Sequence, residues 1–406
     1  MRVVIVGAGV AGCIVARTLA RVPGLDVHCL ERVARDDHSE SGTGLNIGPN
    51  AVKALSAQDA LLGSAITGAA LPWHTWKISL MDGTVLFDLP LSRVADNDGW
   101  RIRWSELYRV LRAAAPNVSY DCVITGVDRS SRNPAQTFIE WTREGSTHRL
   151  DDIDLLIATD GRYSQMRKSF SGEPAVRHVG VAISRVIVPD TSRGMVDDYE
   201  QWFNGPNRLL AFRVPPDFIY IACAFPIAPD QPIPEHLKQA AALRKTYSPP
   251  GDGFTAQTRW LVDTICAHAP EMHWARLQEH EILYADPANN VLYLGDSAHG
   301  MVPTLGQGAT QAIEDACFAA KILAGELDAG AKNIRACLDR ISAWRTARMR
   351  FVMDFSLEAT DTMLAGADPV AGTLHKTGPE FQSRLKQLYR DIPDLSAALT
   401  TSETIA

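Results

Sequence analysis

The stretch from Arg2 to Glu31 restricts the fold more than any other part of this 406-residue chain. A strand-like RVVIV runs into Gly7-Ala8-Gly9-Val10-Ala11-Gly12, an amphipathic segment continues to Ala20, and LDVHCLE reads as a second strand ending at Glu31. Strand before, helix after and acid at the end make this a βαβ unit. Gly7 permits the tight turn, Gly9 lets the backbone approach a pyrophosphate, and Gly12 lets the helix pack on the strand. Glu31 falls about twenty residues further on, where an acid meets a ribose hydroxyl, and an acid there favours a ribose without a 2′-phosphate. Ala11 inside the turn and Arg32 beside the acid join Gly7, Gly9, Gly12 and Glu31 as candidate cofactor contacts. The fold class predicted is α/β with a parallel sheet.

A second constraint stands near the other end. Val291 to Ala316, VLYLGDSAHGMVPTLGQGATQAIEDA, takes an apolar strand into Gly295-Asp296 and then through Pro303 and Gly306-Gln307-Gly308 into a helix. An acid closing a late strand suits a flavin. Asp296 can accept from ribityl hydroxyls, and amides opening the helix near Gly308 can face the electron-rich pyrimidine edge of a reduced isoalloxazine. A third piece, DLLIATDGRYSQMR from Asp154 to Arg167, ends a buried-type strand in Asp160-Gly161 and continues to Ser164 and Arg167.

Together the three pieces resemble the motifs of the class A flavoprotein aromatic hydroxylases, the family of 4-hydroxybenzoate, salicylate and 6-hydroxynicotinate monooxygenases. Those motifs are GxGxxG, a sequence close to GADGxxSxxR, and GDAAHxxxPxxGQGxxxAxEDA. The resemblance runs from the N-terminus to about Arg350, and the third motif is matched at Gly295, Asp296, Ala298, His299, Pro303, Gly306, Gln307, Gly308, Ala312, Glu314, Asp315 and Ala316. Ala158 and Thr159 stand where the family has Gly and Ala, small replacements that should still fit.

The resemblance implies a Rossmann-like FAD-binding lobe formed by 1–71, 100–171 and 275–350, an inserted β-sheet substrate domain of 72–99 and 172–274, and a helical C-terminal segment, 351–406. It also implies FAD, with NAD(P)H as co-substrate and O2, and hydroxylation of a hydroxybenzoate- or hydroxypyridine-like ring through a flavin C4a-hydroperoxide. A decarboxylating hydroxylase or a flavin-dependent halogenase on the same scaffold stays open, although Trp73-His74-Thr75-Trp76 lacks the halogenase tryptophan spacing. A non-oxygenating FAD-binding reductase or escort protein stays open as well.

Gly42 to Asn50 resembles the family's GAGIxIGPN segment beside the flavin, where Gly42 and Gly44 would allow backbone approach. Asn46 falls where the 6-hydroxynicotinate enzymes carry a substrate-facing histidine, so an amide replaces a base. With Pro303, whose backbone in the family shapes the oxygen pocket, Asn46 forms the expected catalytic set. The cofactor-contacting arginine of the family's RxxLxxxL segment is Trp104 here, and Arg103 is its nearest replacement. Arg185, Arg208 and Arg213 are the cations expected to meet a substrate carboxylate, since a planar guanidinium pairs bidentately with one. Phe212 and Tyr220 are expected to line an aromatic slot, and His299 reads as a hydrogen-bonded structural residue.

Composition narrows the partners. A net charge of −7, from 40 basic and 47 acidic residues without a basic block, argues against nucleic acid and anionic membranes. Charges interrupt every apolar run before it reaches bilayer length. The seven cysteines are scattered, with no C-x-x-C, which fits reduced thiols in a cytoplasm and argues against a metal site. The expected partners are a small aromatic substrate and O2, with the chain a monomer or homodimer. Elsewhere, Asp82-Gly83 marks a hairpin between strand-like runs, and helices are expected over Glu235–Tyr247, Phe254–Ala267, Ala309–Leu327 and Ile334–Met353.

Overall fold

A computed structural model describes residues 1–37, 43–131, 133, 136–328 and 333–392; Gly42 lies outside these. The segments VVIV, LLIA and VLY are apolar throughout and buried on both faces, as parallel strands covered by helices must be. Arg2–Val6 pairs in parallel with Asp26–Leu30 on one side and Leu155–Ala158 on the other, and Leu155–Ala158 pairs in parallel with Val291–Tyr293. Val118–Ser119 and an antiparallel Ala285–Asp286 form the edges of this six-stranded sheet. Val6 is level with Ala158, and Ala158 with Tyr293. Gly7, Thr159 and Leu294 therefore leave the sheet at one carboxyl edge, where open parallel sheets bind their ligands. Helices Val10–Leu19 and Gln307–Asp328 pack against each other, and Ile334–Glu358 packs against the second of them.

The other large sheet has seven strands. Thr75–Leu80 and Val85–Pro90 form the hairpin expected at Asp82-Gly83, with Gly83 at φ +90° and Asp82 Oδ1 accepting from Thr84 N at 2.9 Å. Tyr199–Asn204 adds in parallel to Thr75–Leu80, and Asn207–Val214, Phe218–Pro226, Val176–Pro189 and His273–His280 follow in antiparallel order. Val176–Pro189 is 14 residues long and carries partners on both edges, so the sheet takes in residues up to His280, past the boundary expected at 274. A third sheet of Gly44–Ile47, Gly99–Arg103 and Leu71–Trp73 bridges the lobes.

Side chains alternate across the seven-stranded sheet, as the two-residue period of a strand dictates. Leu209, Ala211, Ile219, Ile221 and Cys223 enter a core shared with helices Ala240–Tyr247 and Ala256–Ala267. Leu210, Phe212, Tyr220 and Ala222 join the main core on the opposite face. Thr255 caps the helix Ala256–Ala267 through a reciprocal box with Thr258, which fixes where that helix starts. Among the described residues no helix is long and apolar enough to cross a membrane.

Candidate active site

At the carboxyl edge of the six-stranded sheet the glycine turn closes without room for side chains. Gly7 has φ +100°, a Cβ on it would stand 2.5 Å from the Thr159 carbonyl oxygen, and one on Gly12 would collide with Gly7 O. Thr159 does more than fill space, because its hydroxyl donates to Val6 O at 2.9 Å and Gly7 O at 2.6 Å. The helix Val10–Leu19 opens at Gly9 with no side-chain cap and no acid in its first turn. Its first amides are left for an anion. Glu31 accepts from Ala8 N at 2.6 Å and Val33 N at 3.0 Å, so its carboxylate also holds the turn.

The Gly295-Asp296 turn is clamped from behind. Arg167, buried, donates to Ser297 O at 3.2 Å, Ala298 O at 3.0 Å and Glu281 O at 3.0 Å. Asp160 accepts from Ser164 Oγ at 2.6 Å and Met166 N at 3.1 Å, and Ser164 caps the short helix Gln165–Ser171 that carries Arg167. Burial pushes the Asp160 carboxyl up despite these bonds. The clamp leaves the Asp296 carboxylate half-buried on the cleft wall, hydrogen-bonded to nothing among the described residues.

A buried ionic network fixes the helix Gln307–Asp328. Asp315 accepts from Gly295 N at 2.9 Å, Tyr284 Oη at 2.8 Å, His299 Nε2 at 2.7 Å and Arg345 Nε at 2.7 Å. Glu314 meets Arg345 at 3.0 Å, Arg348 at 3.2 Å, Gln311 at 3.1 Å and the Asn50 amide. Arg348 also donates to Gln387 O at 3.0 Å and Leu388 O at 2.6 Å, tying in the helix Pro379–Tyr389. Burial alone would push both carboxyls up. The guanidiniums outweigh it and hold Glu314 and Asp315 below the usual carboxylate range. His299 is fully buried in this network, the structural role expected of it.

Between these elements runs one cleft of about 540 Å³. Gly9, Ala11 and Tyr108 line one end, Gly44, Asn46, Gly295 and Asp296 the middle, and Pro303, Gly306 and Gly308 the far wall. A Cβ on Gly44 would lie 2.6 Å from Tyr220 Cβ, and one on Gly306, at φ +67°, would run into the Asn46 amide. The roof is the seven-stranded sheet, which contributes Arg185, Tyr199, Arg208, Leu210 and Tyr220. Arg208 is 5% exposed, and its guanidinium has no hydrogen bond or ion pair among the described residues. Burial pulls its guanidinium below the ordinary value, against the opposing pull of Tyr199, Tyr220 and Tyr247. Burial pushes the Tyr220 phenol up to about 12. Arg162 and Arg276 also line the cleft, and their bonds go to carbonyls: Gln278 O and Met301 O for Arg162, Pro229 O and Gln231 O for Arg276. None of Arg162, Arg185, Arg208 and Arg276 has a carboxylate partner among the described residues, although most arginines elsewhere do.

Several expected contacts are placed elsewhere. Arg213 stands an odd number of residues from Arg208 and so faces the opposite side of the sheet, pairing with Asp190 at 3.4 Å and Asp197 at 3.8 Å. Phe212 shares the face of Arg208 but is sealed between Tyr199 and Tyr220, at ring separations of 5.7 and 5.0 Å. The Arg103 guanidinium lies over the Phe218 ring at 4.9 Å, and it is Trp104 that lines the cleft. Arg32 is exposed off the cleft, Gln307 is buried in the ionic network, and Gly7, Gly12, Glu31 and Asp160 shape the turns behind the lining. The sequence reading missed Tyr108, Tyr199, Arg162 and Arg276.

The donor set fits an extended flavin dinucleotide: uncapped helix amides at one end, a free carboxylate midway, a second helix start at the other, and a glycine floor that a Cβ would fill. A family model described as "FAD binding domain" matches residues 256–356. Among curated proteins, 3-amino-4-hydroxybenzoate 2-monooxygenase of Streptomyces cremeus is 28% identical over 330 residues, covering 78% of this chain and 76% of its own. The 2-heptyl-3-hydroxy-4(1H)-quinolone synthase of Pseudomonas aeruginosa is 26% identical over 336 residues, covering 79% and 80%. Over most of its length the chain is similar to class A flavoprotein aromatic hydroxylases. HpxO of Klebsiella pneumoniae, solved with FAD and uric acid, shares the fold of this hydroxylase with a TM-score of 0.79 at 20% identity, covering 97% of both chains. As a single-component flavoprotein monooxygenase, the chain uses FAD as its cofactor.

Proposed function

We propose that this hydroxylase acts on a small, electron-rich aromatic or heteroaromatic ring that carries a carboxylate or an equivalent anion, with NAD(P)H and O2 as co-substrates. The observation that carries the proposal is Arg208: a guanidinium 5% exposed, lining the cleft and paired with nothing among the described residues. A buried unpaired cation costs several kcal/mol, and an anionic ligand is what removes that cost. The Streptomyces relative is named for an aromatic acid.

Bound FAD, once reduced, supplies the activated oxygen that is added to the ring. The chain's own residues bind, orient and exclude water. The amides of Val10 and Ala11 hold the pyrophosphate, Asp296 accepts from the ribityl hydroxyls, and the helix start at Gly306 to Gly308 meets the flavin's polar edge. Arg208 and Arg185 hold the substrate anion. Tyr220 lines the cleft, its hydroxyl makes no hydrogen bond among the described residues, and it orients a polar ring substituent. Leu210, Ile183, Ala222 and Met301 keep the ring dry, and the Pro303 backbone shapes the far wall. Asn46 cannot take a proton at neutral pH, so substrate activation rests on stabilising a ring anion.

A panel of hydroxybenzoates, hydroxypyridine carboxylates and their uncharged analogues, scored by NAD(P)H oxidation and product mass, tests the reading. Stimulation by neutral analogues alone, with no hydroxylated acid produced, would overturn the anion. The cofactor assignment has its own check. Asp296→Ala should weaken FAD binding roughly 10- to 100-fold, the worth of a hydrogen bond to a charged group, while leaving the fold intact. Equal FAD affinity in the variant and the parent would remove Asp296 from the site.

A further inference from the structure

Trp104, Tyr108 and Arg112 follow one another at intervals of four on the helix Trp104–Ala114 and so share one face of it. That face passes the dinucleotide turn. Tyr108 Oη stands 3.5 Å from where a Cβ of Gly9 would be, lines the cleft, and has no hydrogen bond among the described residues. The Trp104 ring packs edge-on against Tyr108 at 4.7 Å and 88°. On the other side the Arg112 guanidinium lies over the Tyr108 ring at 4.6 Å, held by Asp37 O at 2.9 Å and Ala8 O at 3.5 Å. Burial, then the nearby Glu31 carboxylate, keep the Tyr108 phenol protonated well above its ordinary range.

Among the described residues, the arginines and lysines lining the cleft are Arg162, Arg185, Arg208 and Arg276. Arg185 and Arg208 lie in the sheet roof, and Arg162 and Arg276 are bonded to carbonyls of Gln278, Met301, Pro229 and Gln231. A pyrophosphate brought to Gly9 would meet helix amides and the negative charge of Glu31, and would lack a direct cation.

We infer that the Tyr108 hydroxyl donates to the FAD pyrophosphate, and that Arg112 delivers its positive charge to that phosphate through the Tyr108 ring, as a cation stacked behind the phenol. The stacked cation draws electron density from the ring and makes the hydroxyl a stronger donor. Trp104 fixes the ring so that the hydroxyl points along the turn. The inference rests on the chain's being an FAD protein and concerns how this particular chain holds the phosphates.

The test uses FAD-free protein titrated with FAD by flavin fluorescence, and with ADP, which carries the same pyrophosphate without the flavin. Tyr108→Phe keeps the ring, its tryptophan contact and the arginine stack. It should lose about 10- to 100-fold in affinity for both ligands, with an unchanged melting curve when no ligand is bound. Arg112→Gln should lose affinity by a similar factor, and adding it to Tyr108→Phe should cost much less than the product of the two. Within twofold of the parent affinity for Tyr108→Phe overturns the inference. So does full additivity of the two substitutions, which would mean that Arg112 acts through the loop carbonyls and not through the phenol. A parent protein that takes up no FAD would instead overturn the cofactor reading itself.

Discussion

Arg208→Met should bind the aromatic anion roughly 10- to 100-fold more weakly, the loss of a charge-assisted hydrogen bond, and yet unfold at higher urea than the parent when no ligand is present. The two effects have one cause. Arg208 is buried with no partner among the described residues, so the empty protein carries a desolvated charge that methionine, of similar length and apolar, does not. Replacing buried charges with packed apolar groups has stabilised proteins by about 1–4 kcal/mol, and the gain here should lie in that range. FAD content should be unchanged, because Arg208 sits in the sheet roof. Less oxygen should reach the ring per NAD(P)H consumed, since a misplaced substrate forfeits the near-attack geometry. Substrate affinity equal to that of the parent, or a variant that is less stable when empty, would remove the anion from the pocket.

Arg345→Ala should be the most destabilising single change in the chain, by about 3–5 kcal/mol, because it strips a shared partner from two buried carboxylates. Arg345 donates to Asp315 at 2.7 Å, Glu314 at 3.0 Å and Gln311 at 2.7 Å. The same network predicts the acid response of the parent. Glu314 and Asp315 have folded-state pKa values below their ordinary ones. Their contribution is therefore fully present above about pH 5 and is lost as the pH falls through the ordinary carboxylate values of roughly 4 toward the folded ones. In Arg345→Ala the depression should largely disappear, giving a lower but flatter stability curve between pH 6 and about pH 3. Chemical denaturation at several pH values measures both. Parallel curves for variant and parent would show that the network does not govern acid stability.

The glycine turns were legible from sequence because they are local. Gly7 at φ +100° and Gly306 at φ +67° answer to constraints that a few neighbouring residues write out, and strand ends in register bring the turns to one edge. The choice among arginines was half legible. An odd separation already puts Arg208 and Arg213 on opposite sides of one strand, so the alternation alone excludes a shared pocket. Which side faces the cleft depends on helices Ala240–Tyr247 and Ala256–Ala267 covering the other. Tyr108 and Arg112 shared a helical face in the sequence, but nothing local says that this face runs past the dinucleotide turn. The Glu314–Arg345 contact joins residues 31 positions apart, and neither helix announces its partner. Arg103 differs from the expectation for a related reason: it closes the strand Gly99–Arg103, where successive side chains point to opposite sides, and Trp104, which opens the helix, lines the cleft.

If the substrate is the anion proposed above, the four cleft-lining guanidiniums without a carboxylate partner among the described residues set the rate at which it arrives. A chain of net charge −7 repels anions over most of its surface, yet Arg162, Arg185, Arg208 and Arg276 gather around one low-dielectric opening. Field lines from such a cluster are focused outward through the mouth. An anionic ring diffusing nearby is turned away from the flanks and drawn toward the cleft, and dissolved salt erodes that guidance over a Debye length of about 8 Å at physiological strength. Arginines that look underused inside the fold thus act in the solvent outside it, selecting anions before any contact is made.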